Sequence, residues 1–384
     1  MILSPIRYTR QTFRAGGTQG SIFSLVAATI GSGIVTFPYA IASNGVVFGT
    51  FLIVLGAVVS YFSGMLLVAV STITKADRYE DMARTLYNKK VERLVSVLNI
   101  ICLMGFCMSF LVFVKQTVPS FIEQCGAKLP EWCDQSQFGQ AFWAVLAAFG
   151  VFPLSTPRSI GALRYVSLAG TLFATYLCFA VMFSFFLDRR TVPDIQAAWD
   201  RARMFNVSFK GVVTSMPMIL FAYMFQVNIP QIFKELERRN YKNMSKVVYA
   251  GTSLTVTLYT MIGVFGYLSF NLNPDVDLKD QNILLSPWKK NIPILIGNFA
   301  VLFATIAAIP LCVLPCKDSI EEIRYKDGMT KNQNLIVTFC IIFASMLLAL
   351  VIPGIGYAMT FAGCTTNPAI GFFVPIIFYH KATP

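Results

Sequence analysis

The chain has little charge and almost no histidine. Only 13% of its 384 residues are Asp, Glu, Lys or Arg, and the single histidine, His380, lies near the end. Nine cysteines are scattered without one CxxC pair. That pattern excludes a zinc module and leaves no residue set from which to expect a metal or cofactor. Water-facing surface is equally scarce: 55% of residues are hydrophobic and the mean hydropathy is +0.63, which excludes a soluble domain. The net charge of +12 does not mark a nucleic-acid partner, because the basic residues sit in short segments between apolar runs and form no continuous stripe.

What is present is a series of apolar runs, each long enough to cross a hydrocarbon core of about 30 Å. The sequence predicts ten helical spans, at 21–43, 46–73, 94–118, 139–155, 163–187, 209–232, 247–270, 293–315, 334–353 and 355–379. The fold class is therefore an all-α polytopic membrane protein whose partner is the lipid bilayer, and a monomer is expected. Residues 1–20 read as a short cytoplasmic tail and 21–384 as one transmembrane domain. Arg7, Arg10 and Arg14 precede the first run as in a signal peptide, but no small-residue cleavage site follows, so the run is retained.

With the N-terminus inside, 21 lysines and arginines fall in inner segments and 9 in outer ones, which sets the orientation. All 19 acidic residues fall outside the spans. Lys115 lies roughly 32 Å along the third span at 1.5 Å per residue, where snorkelling to the outer interface is expected. Cys125 and Cys133 share an outer loop and are either a disulfide or two free thiols. Cys312 and Cys316, one turn apart, read as small packing residues. Asn206-Val207-Ser208 has glycosylation spacing but abuts the sixth span.

Two interruptions stand out. In the first span, Gly31-Ser32-Gly33-Ile34 is followed by Phe37-Pro38-Tyr39. Two glycines and a proline weaken the helical ladder where lipid offers no substitute partner, which is tolerated only beside protein or a cavity. Close packing through small residues is the other reading. In the sixth span, Phe221-Ala222-Tyr223-Met224-Phe225-Gln226-Val227-Asn228 carries two amides, with Pro217 and Pro230 on either side. The first and sixth spans open two sets of five, about 21–187 and 209–379, and matched interruptions in two halves are a signature of inverted-repeat transporters. An unwound first span aims the amides of Ser32, Gly33 and Ile34 at a carboxylate. Carbonyls freed around Phe221 and Ala222 would accept from an ammonium, with Tyr223, Met224 and Gln226 shaping the pocket.

Gly31-Ser32-Gly33-Ile34 with Phe37-Pro38-Tyr39-Ala40 resembles an element of the amino acid/auxin permease family. Phe221-Ala222-Tyr223 with Gln226-Val227-Asn228-Ile229-Pro230 is similar to that family's sixth-span pattern, and Ile309-Pro310-Leu311-Cys312-Val313-Leu314-Pro315 to its eighth-span ending. The resemblance covers residues 20 to 380. It implies a leucine-transporter-like fold of five plus five helices with the first and sixth broken, alternating access, and amino acid transport coupled to sodium or protons. Many members have an eleventh helix, whereas this sequence stops just after the tenth. Some relatives act as amino acid sensors, so a sensor is the alternative function.

The spans contain no Asp or Glu to pair a cationic side chain, so neutral amino acids are the expected substrate. In sodium-coupled relatives an asparagine precedes the first glycine by four residues. Here that position is Ala27, and Thr305 is the nearest hydroxyl in the eighth span, a weak candidate sodium ligand. Proton-coupled or uncoupled transport is therefore expected over sodium symport, in a plasma membrane or a vacuolar or lysosomal one. The topology is tested by single cysteines placed in 119–138 and 271–292, which are expected to react with an impermeant thiol reagent from outside or from the lumen. Reaction only after permeabilisation would reverse the orientation.

Overall fold

The computed structural model describes residues 17–157, 163–272, 281–288, 291–325 and 328–383, with side chains omitted at 163–167. Most of the expected 1–20 tail lies outside these residues. All regular elements among the described residues are helical. Eight helices are long and apolar enough to cross a membrane, and two bent pairs bring the total to ten. Numbered as spans they are α1 (Thr18–Thr29 as α1a, Phe37–Asn44 as α1b), α2 (Val46–Thr74), α3 (Lys89–Gln124), α4 (Gln137–Ser155) and α5 (Leu163–Leu187). The second set is α6 (Phe209–Ala222 as α6a, Ile229–Glu235 as α6b), α7 (Tyr241–Phe270), α8 (Ile292–Arg324), α9 (Lys331–Val351) and α10 (Ile355–Cys364 as α10a, Val374–Ala382 as α10b). The starts of α3, α4, α6a, α7, α8 and α9 are each capped by an Asn, Ser or Thr side chain, which satisfies amides that a helix start leaves unpaired.

The expected breaks in α1 and α6 are present. Ile30 (φ −83°, ψ 95°) and Gly31 leave the helical region, a tight turn runs over Ser32–Thr36, and the two halves of α1 meet at 54°. Pro38 and Pro230 each stand in the first turn of the restarting half, where a missing N–H costs nothing. A third break, in α10, was not expected. Thr365 leaves the helical region, a π-turn follows at Ala369–Phe373, and the halves bend by 45°. Ser63 donates to Gly371 O and Tyr79 Oη to Ile370 O (3.3 Å), so hydroxyls from elsewhere in the chain pin this bulge.

Two buried lysines close helix ends. Lys115 in α3 does not snorkel: it is 4% exposed, and Nζ donates to Ala349 O and Ile352 O, both at 2.7 Å, at the C-terminal end of α9. Lys317 in α8, counted from sequence as a loop cation, is 2% exposed and donates to Ser155 O (2.7 Å), Thr156 O (3.4 Å) and Pro157 O (3.5 Å) at the end of α4. With spans one to five and six to ten as halves, α3 matches α8 and α4 matches α9. The caps are thus one interaction made twice, once in each direction across the repeat.

The 74–93 segment, expected as a loop, folds a short helix at Tyr79–Leu86 and places four consecutive residue types against other elements. Asp77 pairs with Lys234 (3.5 Å) and Arg239, and Arg78 reaches Glu322 at 3.8 Å. Burial, with Cys102 and Glu80 nearby, pushes the Tyr79 phenol well above its ordinary value, so it keeps the proton it donates to α10. Glu80 is a buried carboxylate that the reading of loops as solvated did not anticipate: it is 4% exposed, and Oε1 accepts from Asn99 Nδ2 and Ser319 Oγ, each at 3.1 Å. At the opposite end of the bundle, the described residues 281–288, expected in an exposed 271–292 loop, instead plug it. Ile283, Leu284 and Trp288 are buried, and Gln124 donates to Leu284 O at 2.8 Å.

No disulfide joins Cys125 and Cys133. Both are free thiols, the first exposed at the end of α3 and the second buried, with its carbonyl held by Trp143 Nε1 at 2.8 Å. Asn206 donates to Ser43 O at 2.9 Å, so the amide needed for glycosylation is already engaged. The lysine caps predict that Lys115→Met and Lys317→Met each lower the unfolding midpoint in detergent, by the equivalent of about 1–3 kcal/mol for carbonyls stripped of a donor. The double variant is expected to lose the sum, since the two sites share no partner. A Lys317→Met protein that melts like wild type would show that other groups satisfy the end of α4.

Candidate functional site

The two breaks in α1 and α6 face the same cavity of about 720 Å³, within the range of small-molecule sites. Gly31, Ser32 and Gly33 from α1 line it, as do Phe221, Ala222 and Met224 from α6. These are six of the nine residues singled out from sequence. Ile34, Tyr223 and Gln226 are not in the lining. Ile34 is fully buried in the core, its amide turned back to Gly31 O at 3.5 Å. Tyr223 is fully buried with its ring 5.1 Å from that of Tyr259 and 6.5 Å from that of Phe37. Gln226 heads a short turn (Gln226–Asn228) that swings its side chain away from the cavity to the neighbourhood of Gly371 in α10.

Polarity at the breaks is opposed. Ser32 and Gly33 begin a new helical turn, so their amides have no acceptor within that turn. Thr29 ends α1a and Ala222 ends α6a, so both carry carbonyls at the negative end of a half-helix, and both line the cavity. Tyr259 of α7, which sequence reading missed, donates toward Thr29 O at 3.0 Å and Ala222 O at 3.1 Å. Among the described residues, the Ser32 and Tyr223 hydroxyls are buried with no hydrogen-bond partner.

The rest of the wall comes from α3 and α8. Asn99, Leu103, Phe106 and Phe110 follow helical spacing along one face of α3, and Ala308, Leu311, Cys312 and Pro315 do so on α8. That periodicity is present in the sequence but invisible there, because both spans are apolar on every side. The rings of Phe106 and Phe221 stand 4.7 Å apart. Thr305 is not in the lining, and its hydroxyl is committed to Val301 O at 2.8 Å. Ala308 of α8 and Ala27 of α1 are in the lining, and neither side chain carries an oxygen.

The cavity extends from the breaks to Gly20, Glu235 and Asp318, at the start of α1a and the ends of α6b and α8. Those ends lie on the side of the 74–93 and 236–240 segments. Beyond the breaks the path is shut: Val35, Phe37, Tyr223 and Tyr259 are at most 2% exposed. The structure is closed on the side of the Ile283–Leu284 plug and open on the other.

A family model described as "Transmembrane amino acid transporter protein" matches residues 14–384. Among curated proteins, solute carrier family 38 member 10 of Homo sapiens is 24% identical over 382 residues, covering 96% of this chain and 33% of that protein. The chain thus spans about a third of the length of that relative. Vacuolar amino acid transporter 5 of Schizosaccharomyces pombe is 23% identical over 372 residues, covering 95% of this chain and 84% of that one. Sodium-coupled neutral amino acid transporter 7 of Homo sapiens is 24% identical, covering 90% and 75%. Of solved structures, a substrate-bound, outward-open sodium-coupled sialic acid symporter aligns with a TM-score of 0.61 at 14% identity, covering 98% of this chain and 81% of that one. The likeness fixes the fold as the five-plus-five, leucine-transporter-like arrangement.

A Cβ placed on Gly33 would stand 2.9 Å from Met359 Cε and 3.3 Å from Ala222 Cβ, and one on Gly31 would meet the Phe110 ring at 3.2 Å. Gly33→Val is therefore expected to force α1 and α6 apart at the breaks, abolishing transport while the protein still reaches the membrane. Wild-type uptake by that variant would remove the α1 break from the site.

Proposed function

We propose that this chain, which belongs to the transmembrane amino acid transporter family, carries neutral amino acids across a membrane by alternating access. The observation that carries the reading is the opposed polarity at the breaks. The Ser32 and Gly33 amides suit a carboxylate, and the Thr29 and Ala222 carbonyls suit an ammonium, both beside one cavity. A zwitterion's two ends are matched by main chain, at roughly 1.5–3 kcal/mol for each charge-assisted hydrogen bond. The wall available to a side chain is Leu103, Phe106, Phe110, Phe221 and Met224, with Glu235 and Asp318 only at the inner mouth. A cationic or anionic side chain would lose its hydration there without gaining a partner.

The relatives' names point both to sodium coupling and to vacuolar membranes, so the ion is argued from this chain's own residues. On the cavity walls that α1 and α8 supply, Ala27 and Ala308 offer no side-chain oxygen, and the Thr305 hydroxyl is turned to its own helix. A sodium ion prefers several hard oxygens. This favours proton-coupled or uncoupled transport.

In reconstituted vesicles, labelled alanine, leucine and glutamine are expected to enter, and arginine and glutamate to be poor substrates. Replacing sodium by choline is expected to leave uptake unchanged. Binding without flux would instead mark a sensor. Preference for arginine or glutamate would overturn the substrate class, and collapse of uptake in choline would restore a sodium role to the walls of α1 and α8.

A further inference from the structure

Tyr259 lies behind the proposed site. It is fully buried and absent from the cavity wall, yet its hydroxyl reaches the last carbonyls of two different half-helices, Thr29 O of α1a at 3.0 Å and Ala222 O of α6a at 3.1 Å. The ring cannot swing away freely. It stacks on Phe37 at 4.1 Å with an interplanar angle of 27°, and Tyr223 meets it at 5.1 Å and 61°.

A phenol carries one proton, so it satisfies two carbonyls only by sharing. Thr29 O also receives the Gly31 amide at 3.1 Å, but Tyr259 is the side chain that reaches both carbonyls. Thr29 O gives one lone pair to Tyr259 and the other to the Gly31 amide, whereas Ala222 O keeps one beside the phenol. Both residues line the cavity. An ammonium, with three donors, could engage Ala222 O beside the phenol and take the phenol's place at Thr29 O, so a loaded carrier joins α1a to α6a through the ammonium and an unloaded one through a single shared proton.

We infer that Tyr259 is a positioning residue for the return of the unloaded carrier. Its phenolic proton stands in for the substrate ammonium and holds the ends of α1a and α6a together while the protein reorients without cargo. No bond to substrate is involved. The inference rests on the placement of the ammonium given under Proposed function, and it adds a step that this placement does not require.

Net uptake into vesicles without internal amino acid requires the unloaded return, whereas exchange against internal unlabelled alanine does not. With the full chain reconstituted and labelled alanine as probe, Tyr259→Phe is expected to slow net uptake about tenfold, the effect of one lost hydrogen bond, while exchange changes less than about twofold. Equal loss of both would reduce Tyr259 to a structural role, and unchanged net uptake would remove it from the cycle; either outcome overturns the inference. If wild-type protein neither accumulates nor exchanges alanine, the amino acid reading fails first and takes this step with it. Should the variant transport too slowly to resolve the two modes, its unfolding midpoint decides: alanine is expected to raise it more in Tyr259→Phe than in wild type, and an equal rise refutes the stand-in role.

Discussion

A helix that ends inside hydrocarbon leaves carbonyls that water does not reach, and each unpaired one costs several kcal/mol. In this chain the carbonyls that end α1a, α4, α6a and α9, and those of the α10 bulge, each receive a donor from another element. Lys115 serves α9, Lys317 serves α4, Tyr259 serves α1a and α6a together, and Ser63 and Tyr79 serve the bulge of α10. The donors differ in kind. Lysine, with a full charge and three protons, is used where whole spans abut. Hydroxyls are used at the broken spans, where a neutral donor holds a carbonyl without competing strongly with a charged ligand.

The two lysines also show how a buried ammonium is held by main chain. Each ammonium sits at the C-terminal end of a helix, where the summed peptide dipoles present negative charge, and its protons are taken by two or three carbonyls. Because α3 caps α9 and α8 caps α4, each half of the repeat closes a helix belonging to the other. Removing either lysine leaves bare carbonyls in one half and no compensation from its counterpart, so the frame formed by α3, α4, α8 and α9 depends on both. The broken spans and their cavity are set against that frame, with α3 and α8 supplying the wall opposite the breaks.

Much of this was legible in the sequence, and the rest was hidden for identifiable reasons. The ten spans follow from apolar runs alone, and the α1 break from Gly31, Gly33 and the proline after them. The α6 break was found through its amides, but Gln226 proved to face α10, because the three-residue turn it begins rotates the chain by an amount no helical period reports. Lys115 is expected to snorkel and instead caps α9, since counting residues along a span does not reveal a helix end nearby, which depends on tertiary packing. Lys317 and Glu80 were assigned to water because they fall at the margins of apolar runs, where hydropathy cannot separate a loop from a buried junction. The α10 break has no paired glycines and went unread. Tyr259 is one aromatic residue in an apolar span, and nothing local distinguishes it from its neighbours.

Where the ligand's two charged ends meet main chain, the side chains around them are released from recognising charge and can act on size and polarity alone. At the breaks Gly31, Gly33 and Ala222 line the cavity, and their small size lets backbone approach closely. Selectivity then rests on the aromatic and aliphatic wall of α3, where Leu103, Phe106 and Phe110 bound the space left over. A wall of this kind discriminates weakly between apolar side chains, at about 1–3 kcal/mol per methylene. It discriminates strongly against charge, because a desolvated ion there finds no counter-ion. For the proposed site, breadth among neutral amino acids together with exclusion of charged ones is therefore the expected consequence of building it from the ends of broken helices.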